Sequence, residues 1–141
     1  MTAKEFLRGI QGHERRIKAL MERRQHYYDM AMQGTGTREA RRIGGTTQAS
    51  RVEEAVCRLI DLEGNLDKEI DRLVNEVRLA EHLISQLEDP RHRDVLRHRY
   101  LDGWSWDRIA AEMHYDRRWV LRLHGEGLVE FSQVGYNWTT S

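Results

Sequence analysis

The sequence predicts an all-α protein: a long antiparallel, coiled-coil-like helical hairpin followed by a C-terminal three-helix domain that contains a helix-turn-helix. Two observations favour helix throughout. Apolar residues recur at alternating spacings of three and four over two long stretches, and the 141 residues include a single Pro. A third observation, two short capped segments near the C-terminus, predicts the helix-turn-helix. We expect a hairpin over 1–88, a helix-turn-helix domain over 89–131 and a tail over 132–141.

The first long helix is predicted over Met1–Gln33. Its seam, the line of side chains that faces a partner helix, follows the four-three spacing of a coiled coil. The seam positions are Phe6, Ile10, His13, Ile17, Leu20, Arg24, Tyr27 and Ala31. The following segment, 34–47, holds four Gly and four Thr, which predicts a flexible connector. A connector of this length allows the helices to fold back antiparallel or to pair with another chain.

The second long helix is predicted over Gln48–Glu88, with a clearer seam. Its positions are Val52, Val56, Leu59, Glu63, Leu66, Ile70, Leu73, Val77, Ala80, Ile84 and Leu87. We expect Leu66, Ile70 and Leu73 to be its most buried part. The one charged seam residue, Glu63, predicts either a partner such as Arg24 from a second chain or an open seam. Because little apolar surface lies outside the seams, we expect a homodimer.

The C-terminal helices are delimited by residues that begin or end helices. Asp89-Pro90 ends the long helix and starts a short one, which Gly103 breaks. Ser105 is the predicted N-cap of a helix over Trp106–Met113, and His114-Tyr115 is the connection. Asp116 is then the predicted N-cap of a helix that runs to about residue 131.

The spacing within these two helices gives each an inner and an outer face. The predicted inner faces are Ile109, Ala110 and Met113 on the first helix, and Val120, Leu123 and Gly127 on the second. Arg117, Arg118, Leu121, Arg122 and Gly125 then face outward. Arginines early on an exposed recognition helix suit phosphate contact and guanine readout in the major groove. The alternative is that these arginines are an ordinary solvated face and that the tryptophans pack rather than stack on bases.

A recognisable pattern runs through Leu101-x-Gly103-x-Ser105, Ile109-Ala110, Met113, Val120 and Leu123-His124. This pattern resembles the helix-turn-helix of sigma factor region 4. It is still more similar to small phage-encoded proteins with a sigma-like C-terminal domain, akin to the ArpU-type phage transcriptional regulators. The residues that carry the resemblance are Trp106, Ile109-Ala110, Met113, Tyr115, Arg117-Arg118 and Leu123-His124-Gly125. The resemblance extends weakly over the heptads and Asp89-Pro90-Arg91. It departs at Asp116, where sigma proteins usually have Ser or Thr, and at Gly127, where they often have Ala.

The resemblance implies a transcriptional regulator of a phage or prophage that binds double-stranded DNA, with RNA polymerase as a further candidate partner. The helix over 116–131 would read the major groove through Arg117, Arg118, Leu121 and Arg122. Ser105 and Trp106 would lie near the DNA backbone. The competing prediction is a structural or interaction protein, such as an oligomeric coiled-coil scaffold or a small terminase-like packaging subunit.

Other classes of protein find little support in the sequence. The segment from residue 90 onward carries eight basic and seven acidic residues, and this weakly basic balance argues against tight non-specific binding of nucleic acid. Cys57 is the only cysteine, the histidines lack zinc spacing, and no nucleophile–base pair or phosphate-binding glycine motif occurs. We therefore expect no enzyme activity, no cofactor and no metal. No apolar run suggests a signal peptide or a membrane span, so we expect the cytoplasm of a bacterial host.

Overall fold

The computed structural model describes residues 1–33, 38–136 and 138; of residues 33 to 48 it describes no side chain. The described part of the chain is helical and contains no strand, which confirms the all-α prediction. The helices are α1 (Ala3–Gln33), α2 (Arg38–Ser85), α3 (Pro90–Leu96), α4 (Trp106–Met113) and α5 (Arg117–Ser132), with a π-helical segment at Arg97–Leu101 after α3. None of the described helices is long and apolar enough to cross a membrane.

Helix α1 begins with a reciprocal cap. The Thr2 amide donates to Glu5 Oε2 at 2.9 Å, and the Glu5 amide donates to Thr2 Oγ1 at 3.1 Å. Such a capping box satisfies amides that lack a partner in the first helical turn. All eight positions of the seam predicted for this helix are buried or half-buried.

Helix α2 begins earlier than predicted. We predicted a connector over 34–47, but the helix starts at Arg38, so the prediction was wrong for 38–47, while 34–37 lies outside the described residues. The physical reason is that Arg, Glu, Ala and Ile at 38–43 favour helix. Once a helix is nucleated, it continues through Gly44 and Gly45 at a cost of about 1 kcal/mol each.

The buried seam of α2 is rotated relative to the prediction in its first half. Every seventh residue from Leu59 to Leu87 is buried or half-buried, as predicted. At two other seam positions of the first half, however, Ala55 and Leu62 are buried in place of the exposed Val56 and Glu63. A small rotation of α2 about its axis leaves the Glu63 carboxylate in water and buries Leu62 instead, which lowers the free energy of the folded chain.

Contacts divide the chain into two compact units, residues 15–72 and residues 1–14 with 73–141. In the first unit the buried apolar residues are Ile17, Ala55, Leu62 and Leu66. Ion pairs between its two helices join Arg16 to Glu69 at 3.5 Å and Arg24 to Glu63 at 3.6 Å. Arg24 is therefore the partner of Glu63, as predicted, but it comes from the same chain and not from a second one.

The second unit contains the largest core. Ala80, Leu83 and Ile84 of α2, with Leu87 just after its end, pack with residues of α1, α3 and α5. This part of α2 is more buried than the predicted Leu66–Leu73 stretch, in which Ile70 and Leu73 are only half-buried. The reason is that several helices converge on residues 80–87. In the tail, Trp138 packs against Phe6 and Phe131 with ring centroids 5.4 and 5.3 Å apart.

Candidate nucleic-acid interface

Helix α4 begins and ends as its sequence predicts. Gly103 has a positive φ of 73°, which ends the preceding segment. Ser105 is extended, and its Oγ accepts a hydrogen bond from the Arg108 amide at 3.2 Å, so it is the N-cap. Ile109 and Ala110 form the buried face of the helix.

The connection between α4 and α5 is a tight left-handed cap. His114 lies in the left-handed region, with φ 60° and ψ 37°. The His114 amide donates to Ala111 O at 3.3 Å and the Tyr115 amide donates to Ala110 O at 3.0 Å. These two hydrogen bonds form a Schellman motif, which reverses the chain within two residues. Two residues are therefore enough to bring α5 back against α4.

Helix α5 packs its inner face against both α3 and α4. Asp116 caps it by accepting a hydrogen bond from the Trp119 amide at 2.7 Å. Val120 and Leu123 are fully buried in one cluster with Val95, Ile109 and Ala110, as the predicted inner faces require. Gly127 contacts α3 rather than α4, because a Cβ at this position would lie 3.3 Å from His92 Cβ.

The outer face of α5 is open to solvent. Arg117, Arg118, Leu121, Arg122 and Gly125 are all exposed, and they lie on the side opposite the buried residues. The Arg117 guanidinium lies 3.6 Å from Asp107 Oδ1, and the Arg122 guanidinium lies 3.2 Å from Glu126 Oε1. Among the described residues Arg118 has no ion pair. The predicted recognition residues of the helix are thus brought together on one exposed surface.

Ser105 and Trp106, which we predicted to lie near a DNA backbone, have packing roles of their own. The Ser105 hydroxyl is used in the cap of α4. The Trp106 ring is half-buried between the Arg99 guanidinium, 4.3 Å from its centroid, and the His124 ring, 4.7 Å away. These contacts fix the start of α4, while Ser105 itself is exposed to solvent.

Residues beside α4 that sequence reasoning did not single out form a stack. The Trp104 ring lies between the His98 ring, 4.1 Å away and nearly parallel, and the Arg108 guanidinium, 4.0 Å away. Arg99 also donates to Trp104 O at 3.0 Å. Cation–π contacts hold an Arg side chain in one position while its N–H groups remain able to donate. The sequence signal was an Arg three residues after a capping Ser and beside an aromatic pair.

Two histidines behind the exposed face are held in opposite environments. The Tyr100 hydroxyl lies 2.7 Å from His124 Nε2. Burial, together with the positive charges of Lys4, Arg99 and Arg8, lowers the pKa of His124 from 6.5 to about 4. The ring is therefore neutral near neutral pH, and the direction of its hydrogen bond with the Tyr100 hydroxyl follows the imidazole tautomer.

His92, in contrast, lies among carboxylates where α3 meets α5. Its Nδ1 is 2.5 Å from Glu130 Oε2, and its Nε2 is 3.5 Å from oxygens of Asp89 and Glu126. Burial alone would raise the pKa of Glu130, but hydrogen bonds from His92 and from the amides of residues 88 and 89 outweigh it and lower that pKa. In the described part of the chain no group of three or more His, Cys, Asp or Glu side chains could hold a metal ion.

The model of one protein family, described as "Protein of unknown function (DUF722)", matches residues 14–125. The match covers most of the chain and includes all of α4, the turn and the arginine face of α5. No curated protein and no solved structure matches the chain. The candidate surface therefore lies within the region that defines the family.

Proposed function

We propose that this chain, which belongs to the DUF722 family, is a sequence-specific DNA-binding protein that regulates transcription in a phage or prophage. In this proposal α4, the His114 turn and α5 act as a helix-turn-helix, and α5 enters the major groove. Helices α1 and α2 form the antiparallel hairpin that precedes it. Double-stranded DNA is the partner, RNA polymerase is a second candidate partner, and the protein acts as a homodimer without enzymatic activity.

The observation that carries the proposal is the division of α5 into two faces. Val120 and Leu123 are fully buried, while the three arginines of the first two turns point into solvent. An α-helix fits the major groove, where guanine presents the N7 and O6 acceptors that an Arg fork can bind together. Arg118 and Arg122, one turn apart, are the proposed base readers. Arg117, nearest the helix N-terminus, is the proposed phosphate contact.

The ion pairs of the arginines do not oppose this role. The Arg117 and Asp107 side chains are 59% and 80% exposed, and the Arg122 and Glu126 side chains are 68% and 46% exposed. Ion pairs this exposed contribute about 0–1 kcal/mol, so a phosphate or guanine can replace the carboxylate. The nearby carboxylates also weaken contacts with DNA in general, which favours binding that depends on sequence.

A second candidate function, an oligomeric scaffold or a small terminase-like packaging subunit, is favoured by a different observation. Residues 15–72 expose several large apolar side chains, among them Ile60 at 65% and Tyr28 at 49%. Such side chains suit contacts with protein rather than with DNA. This alternative requires assembly but no DNA binding by α5, so one binding experiment separates the two functions.

The experiment is a selection of duplexes from a random pool with the full chain, followed by titration of the best duplex. The triple variant Arg117→Ala, Arg118→Ala and Arg122→Ala removes the proposed contacts. The matched control, Arg15→Ala, Arg72→Ala and Arg78→Ala, removes the same charge from exposed positions on α1 and α2. We expect the parent and the control to bind alike and the α5 variant to bind at least about a hundredfold more weakly.

A folded α5 triple variant that binds the selected duplex as tightly as the parent would contradict the proposal. A selection that enriches no sequence, with the parent and the control failing to bind any duplex, would instead favour the scaffold. Far-ultraviolet circular dichroism of each variant establishes that the helices remain.

A further inference from the structure

A groove lies on one side of the α1–α2 pair within residues 15–72. Its volume is about 390 Å³, and it is lined by Arg24, Gln25, Tyr28, Leu59, Ile60 and Glu63. Side chains one or two helical turns away extend its apolar surface, since Val56 is four residues from Ile60 and Met21 is seven from Tyr28. Val56 is 40% exposed and Met21 is 41% exposed. The groove is thus the centre of an apolar strip along both helices.

The unit that carries this strip has little core of its own. Among its described residues, only Ile17, Ala55, Leu62 and Leu66 are buried apolar side chains. Two helices alone form one layer, and stable domains are built of two packed layers around a common core. A second layer placed over the strip would complete such a core.

The charges of the groove favour a second copy of this chain as that layer. Arg24 and Glu63 lie on opposite helices, with their side chains 41% and 50% exposed. Around a two-fold axis a surface meets itself, so each charged residue needs a partner of the opposite sign on the same surface. Arg24 and Glu63 supply that pair, whereas a phosphate backbone would meet the Glu63 carboxylate and the apolar strip.

We infer that this face is the interface of a homodimer, in which the α1–α2 pairs of two copies pack against each other and Arg24 of each copy lies opposite Glu63 of the other. This interface specifies how the homodimer of the proposed function forms, and it does not depend on DNA binding. Loss of dimers and loss of DNA binding are separate results, because the α5 triple variant leaves this face unchanged.

The test uses two charge-reversal variants of the full chain, Glu63→Arg and Arg24→Glu. Each places two like charges on the face, so each should dimerise at least about tenfold more weakly than the parent. An equimolar mixture of the two should regain dimers, because one copy then carries only positive charges and the other only negative ones. Repulsion within one chain cannot be relieved by mixing, so recovery identifies a contact between chains. Sedimentation equilibrium from about 1 to 100 µM measures all three samples.

Matched substitutions of apolar residues locate the face. Ile60→Glu places a charge in the centre of the strip and should give monomers. Met30→Glu is the control, because Met30 is also exposed, at 40%, but lines a different groove with Tyr27 and Arg58. The inference is overturned if the parent is monomeric over the whole range, if the mixture stays monomeric, or if Met30→Glu breaks the dimer and Ile60→Glu does not.

Discussion

At the scale of single residues, His114 and His124 both have structural roles that lead to a prediction about stability. His114 is the only non-glycine residue with positive φ in the described part of the chain. It ends α4 in a conformation that places a Cβ close to the following carbonyl oxygen, which costs a non-glycine residue of the order of 1 kcal/mol. Nothing in the sequence around His114 required this conformation, although a two-residue connection made a tight turn necessary.

The conformation of His114 predicts that His114→Gly stabilises the protein. Glycine adopts positive φ without steric cost, so we expect the free energy of unfolding to rise by about 0.5–1 kcal/mol. His26→Gly, an exposed position inside α1, is the control and should lower it by a similar amount. Urea denaturation measures both; a loss of stability in His114→Gly would show that the imidazole has a role in the turn.

The pKa of His124 predicts that stability depends on pH. Its pKa is about 4 in the native protein and 6.5 as the ordinary value. Between these values the unfolded chain binds a proton that the native protein does not, so this contribution is complete above about pH 6.5 and is lost as the pH falls toward 4. Parent and His124→Gln should differ in this pH dependence by the order of 1–3 kcal/mol. Thermal melts of both proteins at about pH 7 and pH 5 test this prediction. An equal loss of stability in the parent and in His124→Gln between the two pH values would contradict it.

The arginines of α5 are predicted to contribute differently to DNA binding. Arg122→Ala should cost about 1–3 kcal/mol on the selected duplex and relax its sequence preference. Arg117→Ala should weaken binding to all duplexes equally and reduce the salt slope by about one, because one phosphate contact is lost. Titrations of two duplexes over a range of salt separate these effects. If both variants change specificity alike, the division of roles is wrong.

At the scale of the elements, two glycines of α5 differ in what surrounds them. A methyl group at Gly125 would meet no atom within 4 Å, whereas one at Gly127 would lie 3.3 Å from His92 Cβ. Gly125→Ala should therefore stabilise the protein by about 0.5–1 kcal/mol through helix propensity. Gly127→Ala should raise the stability less than Gly125→Ala does, or lower it, because α3 and α5 must separate to make room for the methyl group. Equal gains in chemical denaturation would mean that the two helices are not closely packed.

The sequence predicted the starts of α3, α4 and α5 because capping residues mark them. Asp89, Ser105 and Asp116 each accept the backbone hydrogen bond expected of an N-cap. The start of α2 was missed because the glycines and threonines of 34–47 suggested a loop instead. The rotation of its seam was equally hard to predict, because Val56 and Ala55 are both apolar and only contacts with α1 decide which is buried.

At the scale of the whole molecule, the sequence predicted which arginines of α5 are exposed. It did not predict the side-chain contacts that hold α4 beside them. Helical periodicity alone separates Arg118 and Arg122 from Val120 and Leu123. The stack of His98, Trp104 and Arg108 depends instead on how the π-helical segment meets α4, which no local pattern encodes. The exposed apolar strip on residues 15–72 was not predicted either, because the predicted seam placed Val56 in the interior of the hairpin.

Base analogues test whether the α5 arginines read the major groove. In the selected duplex, 7-deazaguanine replaces each guanine in turn and removes N7, one of the two acceptors that an arginine fork binds. Replacement at a contacted guanine should weaken binding of the parent by about 1–3 kcal/mol and should have no further effect on the Arg118→Ala, Arg122→Ala protein. If no replacement weakens the parent, or if the variant loses as much affinity as the parent, α5 does not read guanine in the major groove.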